Sequence, residues 1–73
     1  MAELTYTKGI YTAIATVREV EGDQYQGVVS LARDDGDEQE NTVYEVDSTS
    51  STPEEALEEA KALAHRILGE IEL

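Results

Sequence analysis

The chain contains no cysteine and only one histidine, His65, which excludes a disulfide framework and a zinc site built from cysteine and histidine ligands. No segment approaches the roughly 18 apolar residues of a membrane span. The first residues, MAELTYTKGI, lack the basic and apolar regions of a signal peptide. We therefore expect one small cytoplasmic domain over residues 1–73, with an ordinary hydrophobic core, no cofactor and no membrane partner.

Basic residues are also scarce in this chain. Five Lys and Arg residues stand against 17 Asp and Glu residues, which gives a net charge of -12. Binding to nucleic acids or anionic lipids depends on basic side chains that displace counterions. The composition therefore predicts no nucleic-acid partner, and it favours a basic protein or a cation instead.

Three segments alternate apolar and polar residues as β-strands do. Residues 9–20 form the first, with Ala13 and Ala15 on one side and Ile14 on the other. Residues 25–32 and 42–48 predict two further strands, and EGDQ at 21–24 predicts the turn between the first two. Gly27, inside the second strand, indicates a bulge or a close helix contact. Residues 1–8 are expected to form a loosely ordered lead-in.

The segment after the third strand carries an explicit helix start. Thr52 suits the N-cap, Pro53 the first helical position, and Glu55 completes a capping box. Apolar residues then recur at helical spacing, which predicts a helix over about 53–68. The expected fold is α+β, of order βββα, with one helix on one face of a three-stranded antiparallel sheet. Its uncovered face and open edges make a homodimer the alternative to a basic partner.

The polar segment RDDGDEQEN, residues 33–41, is expected to be a longer hairpin loop. Clustered carboxylates can bind hard cations, so a weak cation-binding protein is the second functional hypothesis. The order of these acids does not match an EF-hand, and a solvated acidic loop is the favoured interpretation. The candidate ligands are Asp34, Asp35, Asp37, Glu38 and Glu40.

Catalytic patterns are lacking, whereas the helix offers an acidic face. His65 has neither a nucleophile nor an orienting acid at a spacing that predicts a triad, so we expect a surface histidine and no enzyme. The acidic face is expected first to cap and solubilise the helix, and it is the candidate docking surface for a basic protein. Its residues are Glu54, Glu55, Glu58 and Glu59.

The stretch TPEEALEEAKALAHRIL after a strand resembles the N-terminal domain of HicB-type antitoxins and small uncharacterised bacterial βββα proteins. The resemblance covers mainly residues 43–68 and lies in a T-x-E-E-A helix start, matched by Thr52, Glu54, Glu55 and Ala56. It implies a sheet-plus-helix relative of the double-stranded-RNA-binding fold. It also implies a non-enzymatic inhibitor that covers a basic RNA-binding toxin.

Overall fold

A computed structural model describes residues 3–36 and 38–71 of the chain. The expected α+β fold, with an antiparallel sheet and a C-terminal helix, is confirmed, but the sheet has four strands rather than three. The strands lie in the order β1-β2-β3-β4, each paired antiparallel with the next. They are β1 (Leu4–Lys8), β2 (Tyr11–Val20), β3 (Gln24–Asp35) and β4 (Glu38–Glu45), and α1 (Pro53–Glu70) follows them.

The additional strand is β1, in a segment expected to be loosely ordered. Residues 1 and 2 lie outside the described part of the chain, but Leu4–Lys8 pairs with β2 from Leu4 opposite Ala15 to Lys8 opposite Tyr11. Gly9 connects the two strands with a φ of 60°. A glycine with positive φ at the first of two turn positions is typical of tight hairpins. The first predicted strand therefore starts too early, because Gly9 is a turn residue.

The acidic segment is mostly strand, so the expected long hairpin loop is wrong. The pairing of β3 with β4 continues to Asp35 opposite Glu38. Backbone pairing does not require apolar side chains, and Arg33 offsets part of the charge. Its guanidinium lies 3.1 Å from the carboxylate of Asp35 and 3.6 Å from that of Glu40. The second strand is consequently longer than predicted, and the third begins and ends earlier.

The predicted helix start is confirmed. The Oγ1 of Thr52 accepts a hydrogen bond from the Glu55 N–H at 3.2 Å, and Pro53 is the first helical residue. Ser50, which is buried, exchanges two backbone hydrogen bonds with Tyr25 of β3 at 2.7 and 2.8 Å. This bridge fixes the entry of α1 onto the sheet. Within the described residues, no helix is long and apolar enough to cross a bilayer.

The core lies where small residues let α1 approach β2 and β3. Val29 and the small residues around it are fully or almost fully buried. Gly27 is the point of closest approach, since a Cβ there would lie 2.7 Å from the Ala56 carbonyl oxygen and 2.9 Å from the Ala60 Cβ. The predicted close helix contact at Gly27 is thereby confirmed. The buried apolar residues are Ala13, Ala15, Val29, Ala56, Ala60, Ala64 and Leu68.

Candidate docking groove between β4 and α1

On the face of the sheet where it packs, the helix leaves the strand at one edge, β4, uncovered. It packs mainly against β2 and β3 and only lightly against β1, whereas β4 is exposed along its whole length. Four strands about 4.8 Å apart make a layer wider than one helix of about 10 Å diameter can cover. An open groove of about 710 Å³ therefore lies between α1 and the β4 side of the sheet.

The floor of the groove is largely apolar. Tyr44 lies directly opposite the buried Val29, so its side chain points to the helix-covered face of the sheet. The backbone of Val46 continues this pairing, because its N–H donates to the Gly27 carbonyl at 2.9 Å. Leu63 closes the floor on the helix side. Tyr44 remains 38% exposed, so a partner in the groove could cover its ring.

Carboxylates line the rim. Of the four predicted docking residues, Glu55, Glu58 and Glu59 line the groove, while the exposed Glu54 lies outside it. Asp47 lies at the strand side of the groove. Glu45 follows Tyr44 in β4, so its side chain points to the opposite face of the sheet, where the guanidinium of Arg18 lies 3.1 Å from its carboxylate. The rim is consequently anionic mainly along the helix.

One polar contact and one basic side chain mark the two ends of the groove. The Ser48 hydroxyl donates to a carboxylate oxygen of Glu59 at 3.2 Å, which joins the loop after β4 to the helix. Arg66 lines the same groove, toward the C-terminal half of α1. The helical residues at the groove span positions 55–66, about 17 Å of helix at 1.5 Å per residue. The groove thus has a carboxylate-rich end and an end that carries a cation.

The other predicted candidates lie elsewhere. His65 is exposed, and its ring packs edge-on against Tyr6 of β1 at a centroid separation of 4.6 Å, away from the groove. Among the cation candidates, Asp34 and Asp35 are successive residues of β3 and so point to opposite faces. Asp37 is not among the described residues. Residues 3–36 and 38–71 contain no group of three or more His, Cys, Asp or Glu that could hold a metal ion.

Comparison with known proteins adds no relative, because no family model, curated protein or solved structure matches the chain. The predicted resemblance to HicB-type antitoxins therefore stays a prediction. Sequence reasoning identified the glutamates of the rim but missed the apolar floor. Tyr44 and Val46 are two positions apart, so they lie on the same face of the extended chain, and this spacing is the sequence signal for the apolar floor. The same spacing is equally typical of a strand that a helix covers.

Proposed function

We propose that this domain is a non-enzymatic interaction module whose groove binds a basic amphipathic helix of a partner protein. The observation that carries the proposal is the pairing of an apolar floor with an acidic rim along one side of α1. Tyr44, Val46 and Leu63 provide the floor, and Glu55 and Glu58 belong to the rim. An amphipathic helix with a basic border offers the complementary surface.

The length of the groove supports a helix as the bound element. The groove extends along about three turns of α1, so a helix of similar length can lie beside α1 over β4. A second helix in this position completes the layer that covers the sheet. It buries the exposed side of β4, including Tyr44, against apolar side chains.

The charge of the rim argues for a different protein as the partner rather than a second copy of α1. The first two turns of α1 carry Glu54, Glu55, Glu58 and Glu59, so a second copy in the groove would place carboxylates against carboxylates. A helix with Lys or Arg at the matching positions meets attraction instead. The antitoxin-like form implied by the sequence resemblance, an inhibitor that covers a basic surface of its partner, is the specific version of this proposal.

A defined probe tests the groove directly. We would titrate the full chain with a synthetic three-turn helical peptide that carries leucines on one face and lysines along its borders. A scrambled peptide of the same composition serves as control. Binding is followed by fluorescence anisotropy, and the contact surface is mapped by amide chemical shifts. We expect the shifts to concentrate on residues 44–48 and 55–66, and we expect affinity to fall as salt rises.

Two variants of equal charge separate docking from general attraction to a polyanion. Glu58→Gln neutralises a rim residue, whereas Glu54→Gln neutralises a neighbour outside the groove. A rim charge contributes about 0.2–1 kcal/mol, so Glu58→Gln is expected to weaken binding up to about fivefold. Glu54→Gln is expected to change the affinity much less. Equal losses in both variants, or shifts spread over all acidic residues, would overturn the proposal.

The same pair of variants serves to identify the native partner. Affinity capture from a lysate of the source organism is run with wild type, Glu58→Gln and Glu54→Gln side by side at near-physiological salt. The proposal predicts a basic protein that wild type and Glu54→Gln retain and that Glu58→Gln retains less well. Proteins captured equally by all three bind the net charge of -12 rather than the groove.

A further inference from the structure

Among the described residues, the edge of β1 is a second surface of the sheet that has no partner strand, and it is remote from the groove. A backbone hydrogen bond from Asp34 N–H to the Ile10 carbonyl, 2.9 Å long, shows that the backbone groups of Ile10 point toward β3. The backbone groups of Tyr11, the next residue, therefore point toward β1, where Tyr11 pairs with Lys8. Because the pattern alternates, Thr5 and Thr7 direct their backbone N–H and C=O groups away from the sheet.

The two edges differ in how they resist pairing with another strand. β4 carries Glu38, Glu40 and Glu45, and charged side chains on an edge strand are a usual protection against such pairing. The sequence of β1, LTYTK, has no acidic residue and no proline, although the chain holds 17 acids. Its one charged group, Lys8, is engaged within the fold. The Lys8 ammonium donates to the carbonyls of Leu68 and Ile71 at 2.7 and 2.9 Å.

The C-terminal half of α1 carries no acidic side chain above β1. His65 packs on Tyr6 there, and Lys61 precedes His65 by one helical turn on the same flank. Glu58 and Glu54 continue this row toward the N-terminus of α1, so the low negative charge is confined to β1 and this half of the helix. Since β4 carries acids and β1 does not, a second copy of this strongly acidic chain meets less repulsion at the edge of β1 than at the edge of β4.

We infer that β1 is the surface for self-association, through antiparallel pairing of β1 with β1 of a second copy about a two-fold axis. With the axis at Tyr6, Thr5 of one copy lies opposite Thr7 of the other, and both expose the backbone groups that such pairing needs. Tyr6 then lies opposite its own symmetry mate as a non-hydrogen-bonded pair. The product is a continuous eight-stranded sheet with the two grooves at its outer edges.

The test is sedimentation equilibrium of the full chain at low and high ionic strength, with two matched proline variants. Thr7→Pro removes an outward N–H of β1 without breaking the pairing with β2, and edge strands tolerate proline at such positions. Val43→Pro makes the same change on β4, where the bond from Val46 N–H to the Gly27 carbonyl shows that alternate residues from Glu45 face outward. Thermal unfolding confirms that each variant is folded.

We expect a wild-type dimer that strengthens as salt screens the repulsion between two chains of charge -12. Thr7→Pro is expected to weaken it at least about tenfold, because two hydrogen bonds are lost across the two-fold axis. Val43→Pro is expected to leave it unchanged. A wild-type chain that is monomeric at both salt concentrations, or a dimer that Val43→Pro disrupts and Thr7→Pro does not, would overturn the inference.

A cysteine cross-link tests the register even if a proline variant fails to fold. Because the chain has no cysteine, Tyr6→Cys introduces a single thiol opposite its symmetry mate. Non-hydrogen-bonded pairs lie about 4.5 Å apart at Cα, within the range that a disulfide spans. We expect Tyr6→Cys to form a disulfide-linked dimer on mild oxidation much faster than Val43→Cys does. Equal rates for the two variants would contradict the pairing of β1.

Discussion

Gly27 offers the sharpest test of how α1 is held on the sheet. A Cβ added at this position would lie 2.7 Å from the Ala56 carbonyl oxygen, 2.9 Å from the Ala60 Cβ and 3.0 Å from the Ala60 N. Two of these three atoms belong to the helix backbone, so no side-chain rotation can relieve the contact. The substitution Gly27→Ala therefore requires α1 to move away from β3.

Two opposing effects determine how far Gly27→Ala lowers the free energy of unfolding. Overpacking a close contact of this kind costs about 1–3 kcal/mol. Replacing glycine by alanine also restricts the unfolded chain, which returns about 0.4–1 kcal/mol. We expect Gly27→Ala to lower the free energy of unfolding by about 1–2 kcal/mol. For a domain of this size, that corresponds to a fall in Tm of roughly 5–15 °C.

Urea unfolding followed by circular dichroism measures this loss, and Gly69→Ala is its matched control. Gly69 lies in α1, and a Cβ added there meets nothing within 4 Å. The control is expected to stabilise the helix by about 0.5 kcal/mol, since alanine is the better helix former. If Gly27→Ala were as stable as wild type while Gly69→Ala behaved as expected, the close contact at Gly27 would be refuted.

Two further predictions concern the ends of α1. Thr52→Ala removes the N-cap and is expected to lower the free energy of unfolding by about 1 kcal/mol in the same urea assay, whereas Thr52→Ser, which keeps the hydroxyl, should change it little. Lys8→Met removes the ammonium that donates to Leu68 and Ile71 at the C-terminal end of α1. We expect a loss of about 1–2 kcal/mol and faster amide hydrogen exchange in the last turn of the helix; unchanged exchange would show that Lys8 does not hold this end.

The features that sequence reasoning predicted correctly are those encoded locally. Thr52, Pro53 and Glu55 specify a helix start within four residues, and the structure forms the corresponding cap. The alternation through Ala13 and Ala15 assigns the buried face of β2 because side chains of a strand alternate between its faces. Neither inference depends on where the rest of the chain lies.

The wrong predictions lie where amino-acid composition is a poor guide to backbone conformation. The run of acids after Arg33 looks like a loop, yet its backbone groups pair as well as those of any other strand, and Arg33 contacts two of the carboxylates. The short β1 is largely polar, so its alternation gave a weak signal. The alternating pattern of its partner strand also extends back to Gly9, which conceals the two-residue turn that connects the two strands.

The groove could not be predicted from the sequence, because it depends on the lateral position of α1. The close contact of Gly27 with Ala56 and Ala60 places the helix over β2 and β3 and leaves β4 bare. That contact joins residues about 30 positions apart in the chain, so no local pattern reports it. Sequence reasoning could identify Glu55 and Glu58 as a candidate docking face but could not supply the apolar floor beside them.

The position of α1 also connects the two proposed surfaces. β1 and β4 are the two edge strands, so the groove beside β4 and the free edge of β1 lie at opposite edges of the sheet. Neither interaction therefore obstructs the other. In the paired dimer the two copies of β4 are seven strand spacings apart, about 34 Å, so a partner with two basic helices on a linker of that reach could engage both grooves. Salt acts on the two interactions with opposite sign. Added salt weakens the attraction between the acidic rim and a basic helix, but it relieves the repulsion between two acidic chains. Bivalent binding therefore requires an ionic strength at which both the dimer and the groove complex persist.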